Sequence, residues 1–455
     1  MKKQLFTLLA LLISFSTYAQ TINYLGKKLA YTKKADTIKV YIQDDKKTVL
    51  SFPGLVSFPN ATDVLAAYKK ALEKPTPPVV VVPPPVNSIT VTPVSGKTTD
   101  LGVLTKNVIV TPGNYENVYF TYSKANDVTI DFNNARFKNS VVEVGGGNNV
   151  TLLNLILDTQ KYRAFRFDFS LNNLTIKGFT FINCDDYVIS SNNSKVQYNG
   201  SDATLNKGLK IINSVFDNSG TINLGNSIDV NTGEDAGIFK DVEISGNTFK
   251  NSSPGSAVSM SNVWNYDIFN NIVDNFNTIN NLHNGIFLMQ GNGKFHDNKL
   301  TNYQGNSIRM WLYSRGSTPY TNEIYNNICY NTRKYGAFEL QQFARNIWNG
   351  KTTFANAKVY NNTGGQLNTA KDWEGQILDL YELSGTVEYY NNLGFDLKTV
   401  QYQKNVTNMI NNMSGTKIIK ESNNNYFPTW DKAVKDLNTL ESKIPNVGAP
   451  VFIRK

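Results

Sequence analysis

Apolar residues stand at fixed distances from a recurring asparagine through the second half of the chain. In residues 242–251 Ile244 lies three places before Asn247, and Phe249 lies two places after it. The same frame recurs with separations of 24, 27, 29, 35, 30 and 20 residues, at Asn247, Asn271, Asn298, Asn327, Asn362, Asn392 and Asn412. A second column follows four residues later, at Asn183, Asn218, Asn251, Asn275, Asn302 and Asn331. Each frame predicts a strand, a tight corner and a second strand.

A repeat of this length made of short strands predicts a solenoid, because each coil buries its apolar side chains only against its neighbours. One apolar column precedes the corner, at Leu152, Ile176, Ile211, Ile244, Ile268, Phe295, Ile324, Val359, Tyr389 and Met409. Another follows it, at Leu157, Phe181, Phe216, Phe249, Val273, Leu300 and Cys329. Asparagine tolerates left-handed backbone angles, and its amide can bond to the amide of the next coil. We therefore expect the Asn247 column to line one interior corner.

Over roughly residues 108–414 this pattern resembles the right-handed parallel β-helix of the pectate-lyase-like superfamily. The resemblance implies an all-β fold in the form of a right-handed parallel β-helix solenoid. It implies no single activity, because that superfamily includes polysaccharide lyases, glycoside hydrolases, phage tailspikes and proteins with no known chemistry.

The amino terminus predicts export. Lys2 and Lys3 precede an apolar stretch over 5–15 that is too short to span a bilayer, and small residues before Gln20 fit a cleavage site. Residues 1–19 are therefore predicted to be a cleavable signal peptide of a secreted or periplasmic protein. No later apolar run is long enough for a membrane span.

Four further segments are predicted after the signal peptide. Alternation over 37–42 and 48–52 predicts strands, and helical spacing over 61–73 predicts a helix, within a small N-terminal module at 20–74. A stiff Pro/Val-rich linker at 75–86 leads into the parallel β-helix at 87–425. Residues 426–455 form a predicted C-terminal cap, in which an amphipathic helix over 429–443 covers the open end of the solenoid.

Charge and cysteine content refine this picture. The formal net charge of +9 favours a polyanionic partner, and we expect an acidic polysaccharide because the chain has no dense Lys/Arg run that would favour nucleic acid. The alternative is that the positive charge serves only to keep the protein soluble. The protein is expected to be a monomer. Cys184 and Cys329 fall about 24 Å apart at ~4.8 Å per coil, beyond the reach of a disulfide, so both are predicted to be buried free thiols.

The candidate chemistry lies on the outward face of the sheet that forms the groove floor in this superfamily. Strand alternation puts the apolar residues inward. One outward column is then Glu143, Arg166, Asp229, Ser259, Phe287, Arg309, Glu339 and Asp379, and the column beside it includes Ser261, Met289, Trp311, Gln341 and Tyr381. Aromatic rings stack on pyranose faces, and arginine pairs with uronate carboxylates. The predicted substrate-binding residues are therefore Trp311, Tyr381, Phe287, Trp348, Trp373, Arg345 and Gln341.

Elimination from a uronic acid requires a neutralised carboxylate, a base for the α-proton and help for the departing oxygen. In pectate-lyase-like enzymes the base is typically Arg or Lys, and Ca²⁺ held by acidic side chains is often the neutraliser. The resemblance implies Arg309 or Lys334 as the base, with Glu339 and Asp379 as ligands of Ca²⁺. Asp229 opens an incomplete calcium-loop pattern over 229–235 and is a third candidate metal ligand.

Several alternatives remain open. Glu339 and Asp379 lie one coil apart, at roughly the 5 Å separation of a retaining glycoside hydrolase. A non-catalytic carbohydrate-binding or adhesin solenoid would use the same groove, and Arg309 with Glu339 would then be a salt-bridged ladder. His283 in a groove-side loop could act as an acid or be an ordinary loop residue.

Overall fold

The computed structural model describes residues 22–24, 27–34, 37–42, 48–53, 87–167, 171–191, 206–225, 239–278, 283–312, 320–342, 347–348, 351–352, 355–371, 374–383, 385–399 and 406–454. The chain divides into two compact units, Met1–Pro83 and Pro84–Lys455. The signal peptide, the predicted helix over 61–73 and the linker over 75–86 lie outside the described residues. Within the described part, no helix is both long and apolar enough to cross a lipid bilayer.

The first unit contains one antiparallel sheet. Its four strands are consecutive in sequence and in space, at Ile22–Tyr24, Lys27–Lys34, Thr37–Ile42 and Thr48–Pro53. The last two lie where the alternation of apolar and polar residues predicts them.

The second unit is all-β, and its strands pair in parallel from one coil to the next. Three ladders run along it, which we call the floor sheet, the second sheet and the third sheet in the order in which each coil visits them. Four long strands bend from the floor sheet into the second sheet, at Tyr119–Asp131, Val141–Leu153, Val258–Phe269 and Gly285–His296. This arrangement agrees with the predicted β-helix solenoid, whose right-handed sense stays a prediction.

The remaining strands belong to one ladder each. The floor sheet adds Thr98–Asp100, Phe165–Phe167, Tyr187–Ser191, Thr221–Leu224, Asn306–Leu312, Phe338–Gln342, Leu378–Tyr381 and Ile410–Asn411. The second sheet adds Ser88–Val91, Asn107–Val110, Leu171–Lys177, Asn206–Lys207, Lys210–Ile212, Phe239–Lys240, Glu243–Ser245, Tyr320–Tyr325, Ala355–Tyr360, Thr386–Tyr390 and Lys417–Ser422. The third sheet is Asn114–Glu116, Arg136–Lys138, Ile156–Asp158, Thr180–Ile182, Val215–Asp217, Thr248–Ser252, Ile272–Phe276, Lys299–Tyr303, Ile328–Thr332, Thr363–Gly365, Leu393–Phe395 and Asn425–Phe427. Val103–Leu104 pairs with the first long strand, and Ile347–Trp348 forms a short antiparallel pair with Lys351–Thr352.

Inward side chains of successive coils stack into the core. Phe181, Phe216 and Phe249 lie directly above one another, with ring centroids 4.8 and 4.7 Å apart. All three are fully buried, as the apolar column after the corner predicts. Cys329 continues this column, and both cysteines are buried free thiols as expected. Burial raises the pKa of Cys184 to about 11 and that of Cys329 to about 12, so neither is a thiolate near neutral pH.

A ladder of buried asparagines joins the second sheet to the third. The side-chain amide of each member donates to the amide oxygen of the next over 3.0 to 3.1 Å, through Asn247, Asn271, Asn298, Asn327, Asn362, Asn392 and Asn424. The same amide also donates to a backbone carbonyl of the preceding coil, as Asn298 does to Ile268. The prediction of an interior corner is confirmed for its first six members, which are fully buried.

The predicted seventh member was wrong. Asn412 lies in a local turn, where its amide bonds only to the backbone of Thr416, and Asn424 takes the ladder position on that coil. The left-handed backbone is also one residue earlier than expected. It falls on the residue before each ladder asparagine, at Gly246, Asn270, Asp297, Asn326, Asn361, Asn391 and Asn423. The second asparagine column is left-handed as well, and its exposed amides link neighbouring coils, as between Asn275 and Asn251.

The outward face of the second sheet carries a stack of aromatic rings. His296 lies between Phe269 and Tyr325, with ring centroids 5.1 and 4.5 Å away and interplanar angles of 1° and 3°. Its ring nitrogens lie 2.7 Å from Asp297 and 2.9 Å from Asp267. Burial lowers the pKa of His296, but the hydrogen bonds to both aspartates more than offset this effect, so the pKa is raised above its ordinary value of 6.5.

The C-terminal segment differs from the predicted cap. Its helix spans only Trp430–Ala433, because the side chain of Asp436 accepts hydrogen bonds from the backbone of Asn438 and Thr439 and turns the chain away from a helical path. The apolar residues of the segment pack against outward side chains of the third sheet, in a cluster of Ile328, Leu393, Phe395, Ala433, Val434, Leu440, Val447 and Ala449. The segment therefore lies along the side of the solenoid. Its end reaches back to an earlier coil, where Arg454 donates to Thr248 and Gly246.

Replacing a central ladder asparagine should destabilise the fold. Asn298→Ala removes the donor to the carbonyl of Ile268, the acceptor for the backbone and side-chain amides of Asn271, and one of two donors to Asn327. We therefore expect a loss of about 1 to 3 kcal/mol in the free energy of unfolding. Urea denaturation measures it. The matched control is Asn172→Ala, which removes an exposed amide bond to Asn148 and should cost no more than about 0.5 kcal/mol. Equal losses for both variants would contradict a special role of the buried ladder.

The raised pKa of His296 predicts a pH dependence of stability. The folded state holds the proton more tightly than the unfolded chain, so this stabilisation is complete below pH 6.5 and is lost as the pH rises through the raised folded pKa. The melting temperature should therefore fall over this window more steeply in the wild type than in His296→Gln. Parallel curves for the two proteins would show that the imidazolium contributes no stability.

Candidate functional site

Three predicted site residues lie side by side on the outward face of the floor sheet. Strand pairing sets Arg309 beside Glu339, Glu339 beside Asp379, and Asp379 beside Asn411. The full outward column is Asp100, Thr121, Glu143, Arg166, Ser190, Asn223, Ser259, Leu288, Arg309, Glu339, Asp379 and Asn411. Alternation along each strand and the fixed pairing between coils thus bring these groups together from distant parts of the sequence.

Phe287 does not belong to this face, and its predicted outward position was wrong. Phe287 pairs with Ile308 in the inward column, is fully buried, and packs against Phe249 and Phe295 at 5.9 and 5.2 Å. Residues 285–289 form a continuous apolar run without alternation, so burial of the larger phenylalanine decides the register and turns Leu288 outward. Met289 is buried for the same reason.

The predicted column also placed Asp229 on the floor, but Asn223 occupies that register position between Ser190 and Ser259. Asp229 itself lies outside the described residues, as do Arg345 and Trp373 and the side chain of Trp348. Their predicted roles stay predictions.

Glu339 is the centre of the site. Its side chain is fully buried, with Oε1 2.6 Å from Nε of Arg309 and Oε2 2.8 Å from Nε2 of His283. A buried carboxylate without partners would be strongly destabilising, and the hydrogen bond from Arg309 to Oε1 stabilises it, whereas Oε2 lies at ion-pair distance from His283 without a hydrogen bond.

Arg309 is fixed on three sides. Besides its contact with Glu339, Nη1 donates to the carbonyl oxygen of His283 over 3.4 Å, and the guanidinium lies 5.7 Å from the ring centroid of Trp311. Its side chain is 19% exposed, so part of the guanidinium faces the space above the floor. Trp311, Gln341 and Tyr381 pair across adjacent coils in the neighbouring outward column, and each is half-buried. Their substrate-binding role stays a prediction.

Asp379 completes the acidic part of the site. Burial, together with the nearby charges of Glu339 and Glu374, raises its pKa well above the ordinary value of 3.8, and the amide of Asn411, which donates to Oδ1 over 2.8 Å, only partly offsets this effect. Asp379 is therefore protonated under conditions in which an exposed aspartate is ionised.

The described residues do not fit a Ca²⁺ site. Calcium takes six to eight oxygen ligands, whereas both oxygens of Glu339 face nitrogen donors and the cationic Arg309 lies in the same contact. Within the described ranges, no group of three or more His, Cys, Asp or Glu side chains is arranged to hold a metal ion. Because Asp229 is outside those ranges, calcium dependence stays a prediction.

Lys334 lies half-buried in the loop after strand Ile328–Thr332, next to Tyr335. His283 was predicted only as a possible acid or an ordinary loop residue, and its contact with Glu339 was not predicted. Asn306, Tyr335 and Asn411 were missed altogether. Asn411 could have been found by extending the floor column one coil further, but the other contacts depend on loop conformation that no periodicity encodes.

No family model and no curated protein matches the chain. Among solved structures, one described as a new PL6 alginate lyase complex with trisaccharide is similar over 73% of this chain and 79% of its own, with 12% sequence identity and a TM-score of 0.37. A likeness at this level leaves the function to be argued from the site itself.

The raised pKa of Asp379 predicts that Asp379→Asn stabilises the protein at alkaline pH. An asparagine needs no proton to stay neutral, whereas the stabilisation from protonated Asp379 is lost as the pH rises towards its folded pKa. Melting temperatures from pH 5 to 9 (an interval of about 4 pH units) measure the difference, which should grow with pH. The same series with added Ca²⁺ tests the metal hypothesis, because a calcium ligand at Asp379 would make the variant less stable than the wild type.

Proposed function

We propose that the protein cleaves a uronate-containing polysaccharide by β-elimination in the groove over the floor sheet. The observation that carries the proposal is the position of Arg309, a partly exposed guanidinium held by the buried Glu339 beside the ring of Trp311. A guanidinium can bind a carboxylate through two parallel hydrogen bonds, and an aromatic ring beside it can stack on the sugar that carries that carboxylate.

Arg309 is best suited to neutralise the uronate carboxylate. Neutralising that charge acidifies the adjacent C–H bond, which is the first requirement of elimination. The prediction that Arg309 is the base has less support, since arginine is always protonated in proteins.

Retaining hydrolysis by Glu339 and Asp379 has less support for a related reason. The nucleophile of such an enzyme must reach the sugar, but Glu339 is fully buried and its Oε1 accepts a hydrogen bond from Arg309. Asp379 is nearly as buried.

Elimination creates a conjugated double bond, so ultraviolet absorbance during incubation with a panel of uronate polysaccharides tests the activity directly. Absorbance should rise with at least one uronate polymer and stay flat with neutral glycans. Binding to uronates without any rise in absorbance would reject the lyase and favour the carbohydrate-binding alternative.

Substitutions at Arg309 and Trp311 should weaken binding of a uronate oligosaccharide. Arg309→Lys keeps a cation beside Glu339 but loses the planar fork, and Trp311→Ala removes the stacking surface, so each should raise the Kd about tenfold or more. Affinity should also fall as salt is added. Isothermal titration measures these changes.

The matched control for the arginine is Arg166→Lys. Arg166 lies in the same floor column and pairs with Glu143, but it is five coils from Arg309. Its substitution should leave the Kd within about twofold. An equal loss of affinity in both lysine variants would locate binding elsewhere than at Arg309.

A further inference from the structure

His283 stands at the entrance to the floor strand Gly285–His296, above Glu339. Its ring stacks on that of Tyr335, with centroids 4.1 Å apart and an interplanar angle of 13°. The side chain is 32% exposed, so the imidazole packs on Tyr335 and part of it remains accessible to solvent. Nothing in the proposed neutralising role of Arg309 requires a histidine here.

The surroundings of His283 determine which ring nitrogen carries the hydrogen. Nε2 lies 2.8 Å from Oε2 of Glu339 and 3.2 Å from Oδ1 of Asn306, and both atoms are acceptors. The hydrogen of a neutral imidazole therefore sits on Nε2, which leaves the lone pair on Nδ1. Asn306 makes the hydrogen bond with Nε2, and the buried carboxylate of Glu339 lies beside it at ion-pair distance, where its charge favours an imidazolium. A base held in one tautomer next to a carboxylate is the arrangement of a general base with its orienting groups.

We propose that His283 is the catalytic base of the elimination, oriented by Glu339, with Arg309 as the neutraliser; this rests on the proposed function. Nδ1 takes the proton from the carbon next to the uronate carboxylate. The electrons of that C–H bond form the new C=C bond, and the bond from the neighbouring carbon to the glycosidic oxygen breaks. The imidazolium returns its proton to the departing oxygen, so the step needs no other reactant.

A single buried carboxylate positions both groups. Glu339 contacts Arg309 through one oxygen and His283 through the other, and Arg309 also bonds to the backbone of His283. Base and neutraliser are thereby held at fixed positions relative to each other. The geometry thus gives the fully buried Glu339 a positioning role, which does not require contact with substrate.

The test compares the two histidines of the chain. His283→Gln should lower kcat on the best uronate substrate by about 100-fold or more and leave the Kd for oligosaccharide within a few fold, because proton transfer matters only in the transition state. Added imidazole should restore part of the rate. His296→Gln is the matched control, since His296 lies on the outward face of the second sheet, and its kcat should be unchanged at a temperature below its melting transition.

Glu339→Gln provides a second, nearly isosteric variant. It should lower kcat because an amide can donate to Nε2 and favour the wrong tautomer, and imidazole should not rescue it. Circular dichroism confirms that each variant is folded. If folded His283→Gln had the same activity as the wild type, the assignment of the base would be overturned and the lyase proposal would stay intact. A wild type that eliminates no uronate would instead overturn the proposed function, and the base with it.

Discussion

The hydrogen bond between side-chain amides of successive coils is the constraint on which the solenoid depends. Each ladder asparagine donates to a carbonyl of the coil before it and to the amide oxygen of the coil after it, in a site closed to water. A shift of one residue would leave these groups buried without partners, at a cost of several kcal/mol in total. Neighbouring members are 24 to 35 residues apart, and these differences in coil length therefore lie in the other connections of each coil and not at this corner.

This fixed corner sets the arrangement of charges on the floor sheet. Because every coil starts from the same register, Arg309, Glu339 and Asp379 stack at the spacing of parallel strands although 70 residues separate the first from the last. Two acidic groups in adjacent buried positions repel each other. Glu339 pairs with Arg309, and the pKa of Asp379 is raised, so that Asp379 keeps its proton to a higher pH than an exposed aspartate does. A rigid scaffold holds these groups in place with little freedom to relax.

The periodic part of the structure could be predicted from the sequence, and the local exceptions could not. Asn247 and Asn298 belong to a sequence repeat that predicts the corner directly, and the outward positions of Trp311 and Arg309 follow from strand alternation. The prediction for Phe287 was wrong because an unbroken apolar run does not show which residues face inward. The prediction for Asn412 was wrong because Met409 supplies the apolar residue three places before it, whereas the true ladder member Asn424 has Glu421 at that place. The contact of His283 with Glu339 arises from a loop, whose path is set by packing against Tyr335. The helix predicted from the residue spacing after Thr429 is shorter than expected because the side chain of Asp436 accepts a hydrogen bond from the backbone of Thr439.

The returning C-terminal segment alters how such a solenoid comes apart. In a stack where each coil touches only its neighbours, the terminal coils fray first and independently of the middle. Here the chain end is bonded to the coil of Gly246 and Thr248, and its apolar residues cover strands from Ile328 to Phe395. If the last coils open, apolar side chains on coils well inside the stack therefore also lose the segment that covers them. The C-terminal segment connects coils that are not neighbours, and it therefore makes unfolding of the C-terminal half of the solenoid more cooperative than nearest-neighbour contacts alone would allow.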